Sequence, residues 1–287
     1  MNIKTRCFQE NNYKGIYFNG KTMRLALDSR KPITELEYPE FYDVKITSKC
    51  FGECPYCYQS SVWNAKHAKD PVKKIQKFFG SMTENQKPFQ VAIGGGEPTL
   101  HPEFPKILRT FKALGIAPNY TTNGMWIDDP ILARQILIAT KMYCEGVAIS
   151  CHPHLQAFWE IAAQALIVNQ IFTNFHLIIS DRDSIDSFLD IYNTWKGQIK
   201  YFVLLPIAAQ GRCEDGTLDW DYLSFWLKQI QKDTGDISDI AFGANFYPYL
   251  KKDKSFPVSL YEPEILSKYL DLETMKIYPS SFSTEEI

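Results

Sequence analysis

Two hydrophobic periods alternate along most of the chain. Short apolar runs with strand character fall at 41–47, 89–93, 117–122, 146–150, 171–179 and 200–205. Between them lie longer stretches in which apolar residues recur every three or four positions: 70–82, 102–114, 129–142, 155–169 and 184–196. Proline sits at or near the first turn of three of these helices, in Asp70-Pro71, His101-Pro102 and Asp129-Pro130, where its missing N–H costs nothing. Asp183 or Ser184 is placed to cap the fifth. Six strands alternating with five helices predict an α/β fold of βα units on a parallel sheet. Right-handed crossovers curl such a sheet into a closed or partial barrel, and its site lies at the carboxyl ends of the strands.

The flanks read differently. Residues 13–30 read as a β-hairpin, with apolar runs on either side of the tight-turn dipeptide Asn19-Gly20. A connector with Pro32 and Pro39 follows. After the sixth strand come a helix over 220–231, a strand-like run over 239–246 and a polar, proline-containing tail. Three regions are therefore expected: 1–40 as hairpin and connector, 41–213 as the barrel core, and 214–287 as a C-terminal extension packing on it. Phe246, Tyr247, Tyr249, Tyr261, Tyr269 and Tyr278 make the last of these aromatic. The hairpin and this tail are placed either to cap the barrel mouth or to cover sheet edges.

Composition narrows the class. The 287 residues are 45% hydrophobic and 22% charged, as in ordinary globular domains. A net charge of −2 gives no electrostatic reason to expect large nucleic acids as partners. No apolar run is long enough to span a bilayer and none near the start resembles a signal peptide, so a cytoplasmic protein with no membrane partner is expected. Of the seven cysteines, Cys7, Cys144, Cys151 and Cys213 are scattered and are thiols in a reducing compartment, whereas the other three are better read as metal ligands than as disulfides.

Three of those cysteines form one cluster, Cys50-Phe51-Gly52-Glu53-Cys54-Pro55-Tyr56-Cys57, just after the first barrel strand. Three thiolates on one loop converge on a single centre, one ligand short of a closed tetrahedral zinc site or a four-cysteine cluster. An open position marks a centre that reacts; a structural zinc knuckle is the alternative. The next strand ends in Gly94-Gly95-Gly96-Glu97-Pro98, where glycines permit positive φ and close approach and Glu97 can accept from an ammonium. The third strand ends in Thr121-Thr122-Asn123-Gly124 and the fourth in Ser150-Cys151-His152-Pro153-His154. Cys-His-Pro-His has no standard metal-ligand spacing.

In that order, the cysteine, Gly-Gly-Glu and Thr-Asn-Gly motifs resemble those of the radical S-adenosylmethionine (radical SAM) enzymes. The resemblance spans roughly residues 41–213 and implies a partial (β/α)6 parallel barrel. It implies that Cys50, Cys54 and Cys57 ligate a [4Fe–4S] cluster whose fourth iron is open to S-adenosylmethionine. Tyr56 matches the aromatic position near the adenine. Gly95, Gly96 and Glu97 would receive the methionine amino group, with Thr122 and Asn123 close by. Ser150 matches a position that bonds the carboxylate or ribose. Leu204 to Arg212 resembles a Pro-to-Gly-Arg segment of peptide- and cofactor-modifying members, in which Gly211 and Arg212 close over the cofactor or bind an anionic substrate group.

The resemblance implies reductive cleavage of S-adenosylmethionine and hydrogen-atom abstraction from a peptide side chain or small metabolite. A nucleotide or nucleic-acid base is the main rival, and a zinc-binding or scaffold protein the non-enzymatic one. An electron donor such as flavodoxin or ferredoxin is an implied partner. His152, His176 and Cys213 are the candidates for later proton or hydrogen-atom handling. After residue 150 only Cys151 and Cys213 remain, so one cluster is expected and no auxiliary one.

Overall fold

The structure, a computed structural model, describes residues 3–18, 20–253, 255–256 and 265–287. Seven parallel strands run side by side in chain order: β4 (Phe41–Thr47), β5 (Gln90–Gly95), β6 (Ala117–Thr122), β7 (Gly146–Ser150), β8 (Thr173–Ile179), β9 (Tyr201–Pro206) and β10 (Ile240–Phe242). Helices α1 (Pro71–Gly80), α2 (Phe104–Ala113), α3 (Pro130–Tyr143), α4 (Gln156–Val168), α5 (Arg182–Trp195) and α6 (Trp220–Thr234) make the successive crossovers. This is the partial parallel barrel that the alternation predicts.

Burial follows the strand period. Tyr42, Val44 and Ile46 of β4 face the helices and are buried, whereas Phe41, Asp43 and Lys45 point to the inner face and are only partly covered. Strand β8 repeats the pattern, with Thr173, Phe175, Leu177 and Ile179 in the core and Asn174, His176 and Ile178 inside the barrel. The core between sheet and helices holds Phe79, Phe104, Phe111, Trp126, Trp159, Phe175, Phe188 and Phe202, all at most 2% exposed. Each such side chain contributes about 1.5–3 kcal/mol of burial.

Sequence and structure differ at both flanks. The hairpin gains a strand, β1 (Lys4–Phe8), that pairs with β2 (Tyr13–Phe18), which pairs with β3 (Lys21–Ala26). Asn19 of the expected turn lies outside the described residues; Gly20 has φ 76°, as a tight turn requires. This small sheet does not sit at the barrel mouth. Tyr17 stacks on Phe89 and bonds Glu145, Tyr13 donates to Glu40 at 2.6 Å, and Arg6 donates to Pro39 O at 2.7 Å. Glu40, Phe89 and Glu145 precede β4, β5 and β7, so the sheet closes the amino ends of the strands, opposite the cysteine loop. The cap of α5 is Asp181, with Ser184 as the reciprocal partner of a capping box, because Arg182 and Asp183 are already helical.

The strand-like run over 239–246 is shorter than its pattern. After Phe242 the chain turns through Gly243 into a helical turn (Ala244–Phe246) and α7 (Tyr247–Lys252), because Pro248 suits a first helical turn and Phe246 and Tyr249 pack on Trp220. The polar tail contains two strands the pattern does not announce. β11 (Ser267–Asp271) runs parallel to β4 on its free side, and β12 (Lys276–Tyr278) runs antiparallel to β11. Tyr261 lies outside the described residues. Phe282 reaches the cysteine loop and packs on Tyr58 at 4.7 Å, so the tail, unlike the hairpin, does lie at the mouth. No helix among the described residues is long and apolar enough to cross a membrane.

Candidate functional site

The cysteine loop leaves β4 at its carboxyl end and is held from several sides. Gly96 N donates to Thr47 O at 2.7 Å, and Glu97 N donates to Lys49 O at 2.8 Å. A Cβ on Gly95 would sit 2.1 Å from Thr47 O, and one on Gly96 would sit 2.2 Å from Lys49 O. Gly95 also has φ 114°. These glycines are therefore needed because the backbone entering the cysteine loop packs directly on the end of β5. A Cβ on Gly94 would meet nothing within 4 Å.

Glu97 joins the second and third motifs. Its carboxylate is 3% exposed. Oε1 accepts from Thr99 N, Thr99 Oγ1 and Thr122 Oγ1 at 3.2, 2.5 and 2.8 Å, and Oε2 accepts from Asn123 N at 2.8 Å. Burial raises its pKa and these donors oppose the rise. Asn123 in turn points Nδ2 at Cys50 Sγ, 3.7 Å away. Thr99 was not singled out in the sequence; Glu97-Pro98 read as a helix N-cap with proline at the first position is the signal for it.

All seven cysteines are free. Cys50 Sγ also accepts from Gly52 N at 3.3 Å, and the position of a Gly52 Cβ lies within 3.5 Å of both the Cys50 and Cys54 sulfurs. Burial pushes the Cys50 thiol up to about 11 and Cys54 to about 12, and mutual repulsion among the loop's thiolates adds to both. Among the described residues no group of three or more His, Cys, Asp or Glu side chains is arranged to hold a metal ion. The donor set fits an iron–sulfur centre: three unoxidised thiols on one loop, Cys54 buried and Cys50 and Cys57 partly so, with N–H groups already aimed at the Cys50 sulfur.

The segment after β7 lies against the same loop. Tyr56 Oη and His152 Nδ1 are 3.1 Å apart, and His154 Nε2 donates to Gly52 O at 2.8 Å. Burial, then the neighbouring His154, lowers the His152 pKa to about 4. Ser150 ends β7 in register with His176 on β8, and burial lowers the His176 pKa to about 4 as well. Gly211 and Arg212 come from the connection between β9 and α6. Arg212 Nε donates to Cys54 O at 2.9 Å, Nη1 to Ser61 O at 2.8 Å, and its backbone N to Cys57 O at 3.1 Å. Cys213 beside it directs Sγ to Asp215 O in its own loop.

Residues 44–151 match the profile of the Radical SAM superfamily. A tungsten-containing aldehyde ferredoxin oxidoreductase cofactor-modifying protein of Pyrococcus furiosus is 29% identical over 90 residues, 31% of this chain and 25% of that protein. A mycofactocin maturase of Mycobacterium ulcerans is 29% identical over 103 residues, 34% and 26%. The matches thus take in only about a quarter of each relative's length. In three dimensions the chain superposes on Streptococcus suis SuiB. With the precursor peptide SuiA bound, the TM-score is 0.67 at 14% identity, over 86% of this chain and 60% of SuiB. With S-adenosylmethionine bound, it is 0.66 at 12% identity, over 88% and 64%. Those likenesses show a shared fold. The matched segment contains the cysteine loop, Glu97 and Asn123 together, so the likeness to the radical SAM superfamily, whose enzymes bind a [4Fe–4S] cluster and S-adenosylmethionine, falls on the site itself.

Proposed function

We propose that the chain is a radical SAM enzyme that takes a hydrogen atom from a peptide side chain or small metabolite. The observation that carries this is the bonded chain from Cys50 Sγ to Asn123 Nδ2, and from Asn123 N and Thr122 Oγ1 to Glu97. It ties three motifs from three strand ends into one unit. Held by Cys50, Cys54 and Cys57, a reduced cluster would supply the one electron needed for reductive cleavage of S-adenosylmethionine and hydrogen-atom abstraction.

In this reading Cys50, Cys54 and Cys57 hold the cluster. Glu97 Oε2, with one donor on it, keeps acceptor capacity for the methionine ammonium, while Thr99 and Thr122 fix the carboxylate's plane. Gly95 and Gly96 bring that carboxylate against the loop; Tyr56 stands against His152, two residues after Ser150 at the end of β7, for contact with the adenine and the carboxylate or ribose. Arg212 supports the cofactor by holding the carbonyls of the cysteine loop. A one-electron donor protein of the flavodoxin or ferredoxin kind completes the reaction. The likeness to SuiB, a structure with a precursor peptide, supports a peptide substrate over a nucleotide.

The test is anaerobic. Reconstituted protein with reductant is expected to contain iron and sulfide for one cluster and to release 5′-deoxyadenosine, and Cys50→Ala loses both. One zinc with no sulfide, or no cleavage even in the presence of peptide and metabolite pools, overturns the proposal.

A further inference from the structure

Two buried amide oxygens without donors and one carboxylate without a partner stand on the inner side of the barrel or the loop above it. Asp43 lies on the inner face of β4, in register between Tyr269 of β11 and Ala92 of β5. Its carboxylate has no hydrogen-bond or ion-pair partner among the described residues, although it keeps contact with accessible space. Lys45, two positions further along the same face, does not serve it: Lys45 Nζ is 3.1 Å from Asp271 and 3.9 Å from Glu273. Asp43 lies four positions before the end of β4, the strand whose carboxyl end carries the cysteine loop. Gln59 Nε2 donates to Tyr58 Oη at 2.8 Å, and Gln59 Oε1 is buried with no donor. On the inner face of β8, Asn174 Oδ1 is likewise buried with no donor.

Buried acceptors such as Gln59 Oε1 and Asn174 Oδ1 are satisfied in nearly all folded proteins, and a half-buried carboxylate with no protein partner is open to a cation from outside. His176 cannot supply the missing charge, because burial keeps it neutral. Lys45, the neighbouring cation on the same face, is already shared between two other carboxylates.

We propose that the barrel interior receives a cationic, donor-bearing group of the substrate, an ammonium or guanidinium, on Asp43, with the amide oxygens of Gln59 and Asn174 as further acceptors. The inference rests on the radical SAM reading, which makes the space beneath the cysteine loop the place of reaction. It names the substrate class: a molecule or peptide that is positively charged next to the carbon attacked. Burial raises the Asp43 carboxyl to about 7, so at neutral pH a bound cation also draws it into the ionised form.

Thermal unfolding of the anaerobically reconstituted protein tests this with N-acetyl-lysine amide and N-acetyl-arginine amide as cationic probes. N-acetyl-norleucine amide and N-acetyl-glutamate amide serve as neutral and anionic controls, each with and without S-adenosylmethionine. At tenfold saturation one or both cationic probes raise the midpoint by about 2–4 °C and the controls do not. Asp43→Asn loses the shift, whereas Asp183→Asn, a change on the outer helix α5, retains it. No shift from either cation, an equal shift from norleucine amide, or a shift that survives Asp43→Asn overturns the inference. The comparison among probes on wild-type protein stands even if Asp43→Asn fails to fold. Wild type that never cleaves S-adenosylmethionine counts against the radical reading, whereas wild type that cleaves it but ignores cations counts against this one.

Discussion

Arg212 donates to the carbonyl oxygen of Cys54 at 2.9 Å, across 158 positions of sequence. With its second bond to Ser61 O, the guanidinium fastens the connection after β9 onto both sides of Cys57. Bonds from a charged donor are worth about 1.5–3 kcal/mol each, less where water reaches them. Arg212→Met is expected to lower the unfolding free energy by about 2–3 kcal/mol and to make iron leave faster under chelator. Arg212→Lys recovers part of both. Urea denaturation and the rate of iron release check it; an unchanged release rate would show that the loop holds itself.

Glu97→Gln keeps the shape and removes the charge. One oxygen becomes an NH2 that must face either Asn123 N or the donors of Thr99 and Thr122. A donor set against a donor in a buried site costs about 1–3 kcal/mol. Apo protein should show that loss in urea, and reconstituted protein should lose affinity for S-adenosylmethionine in equilibrium binding.

The three consecutive glycines should separate cleanly. Gly95→Ala and Gly96→Ala drive a Cβ into Thr47 O and Lys49 O and are expected to cost about 3 kcal/mol or more. Gly94→Ala meets nothing and should stay within about 1 kcal/mol of wild type in apo protein. Melting temperatures of the three variants decide it.

Asp43 and His176 oppose one another in acid. The His176 pKa falls from 6.5 to about 4 on folding, so between those values the unfolded chain binds more protons and stability is lost as pH falls. Asp43 rises from 3.8 to about 7, so in that window the folded chain binds more protons and stability is lost as pH rises. Each slope approaches about 1.4 kcal/mol per pH unit, and in wild type they largely cancel. Asp43→Asn should therefore make apo protein more acid-sensitive between pH 6.5 and 4, and His176→Gln less so. Denaturation midpoints across that range measure both slopes.

Much of the barrel was legible because its signals are local. Strand period, proline at helix starts and capping residues lie within a few positions of what they determine. The motif residues were legible for the same reason, each being a short string at a strand end. What stayed hidden depends on distant partners. Nothing in the tail's Ser267 to Asp271 announces a parallel strand until β4 is present to pair with it. Arg212 reads either as closing over the cofactor or as an anion binder until its carbonyl partners are known, and the hairpin reads either as a cap on the mouth or as edge cover until Tyr17 is seen on Phe89. Asp43 carries no signal in the sequence, because only the folded barrel shows that it lies on the inner face without a partner.

Strand β11 has a consequence for how the protein comes into being. β4 carries the cysteine loop, yet its outer edge is covered only by a segment joined to it through Lys45 and Asp271, 226 positions apart. Contacts that distant form late, because a long loop must close first. On a ribosome the cysteines emerge while β4 still has an open flank, a template for strand addition by other chains. Metal insertion before β11 docks would meet a loop anchored on one side only. Metal that arrives after β11 has docked would meet a loop whose strand is paired on both edges.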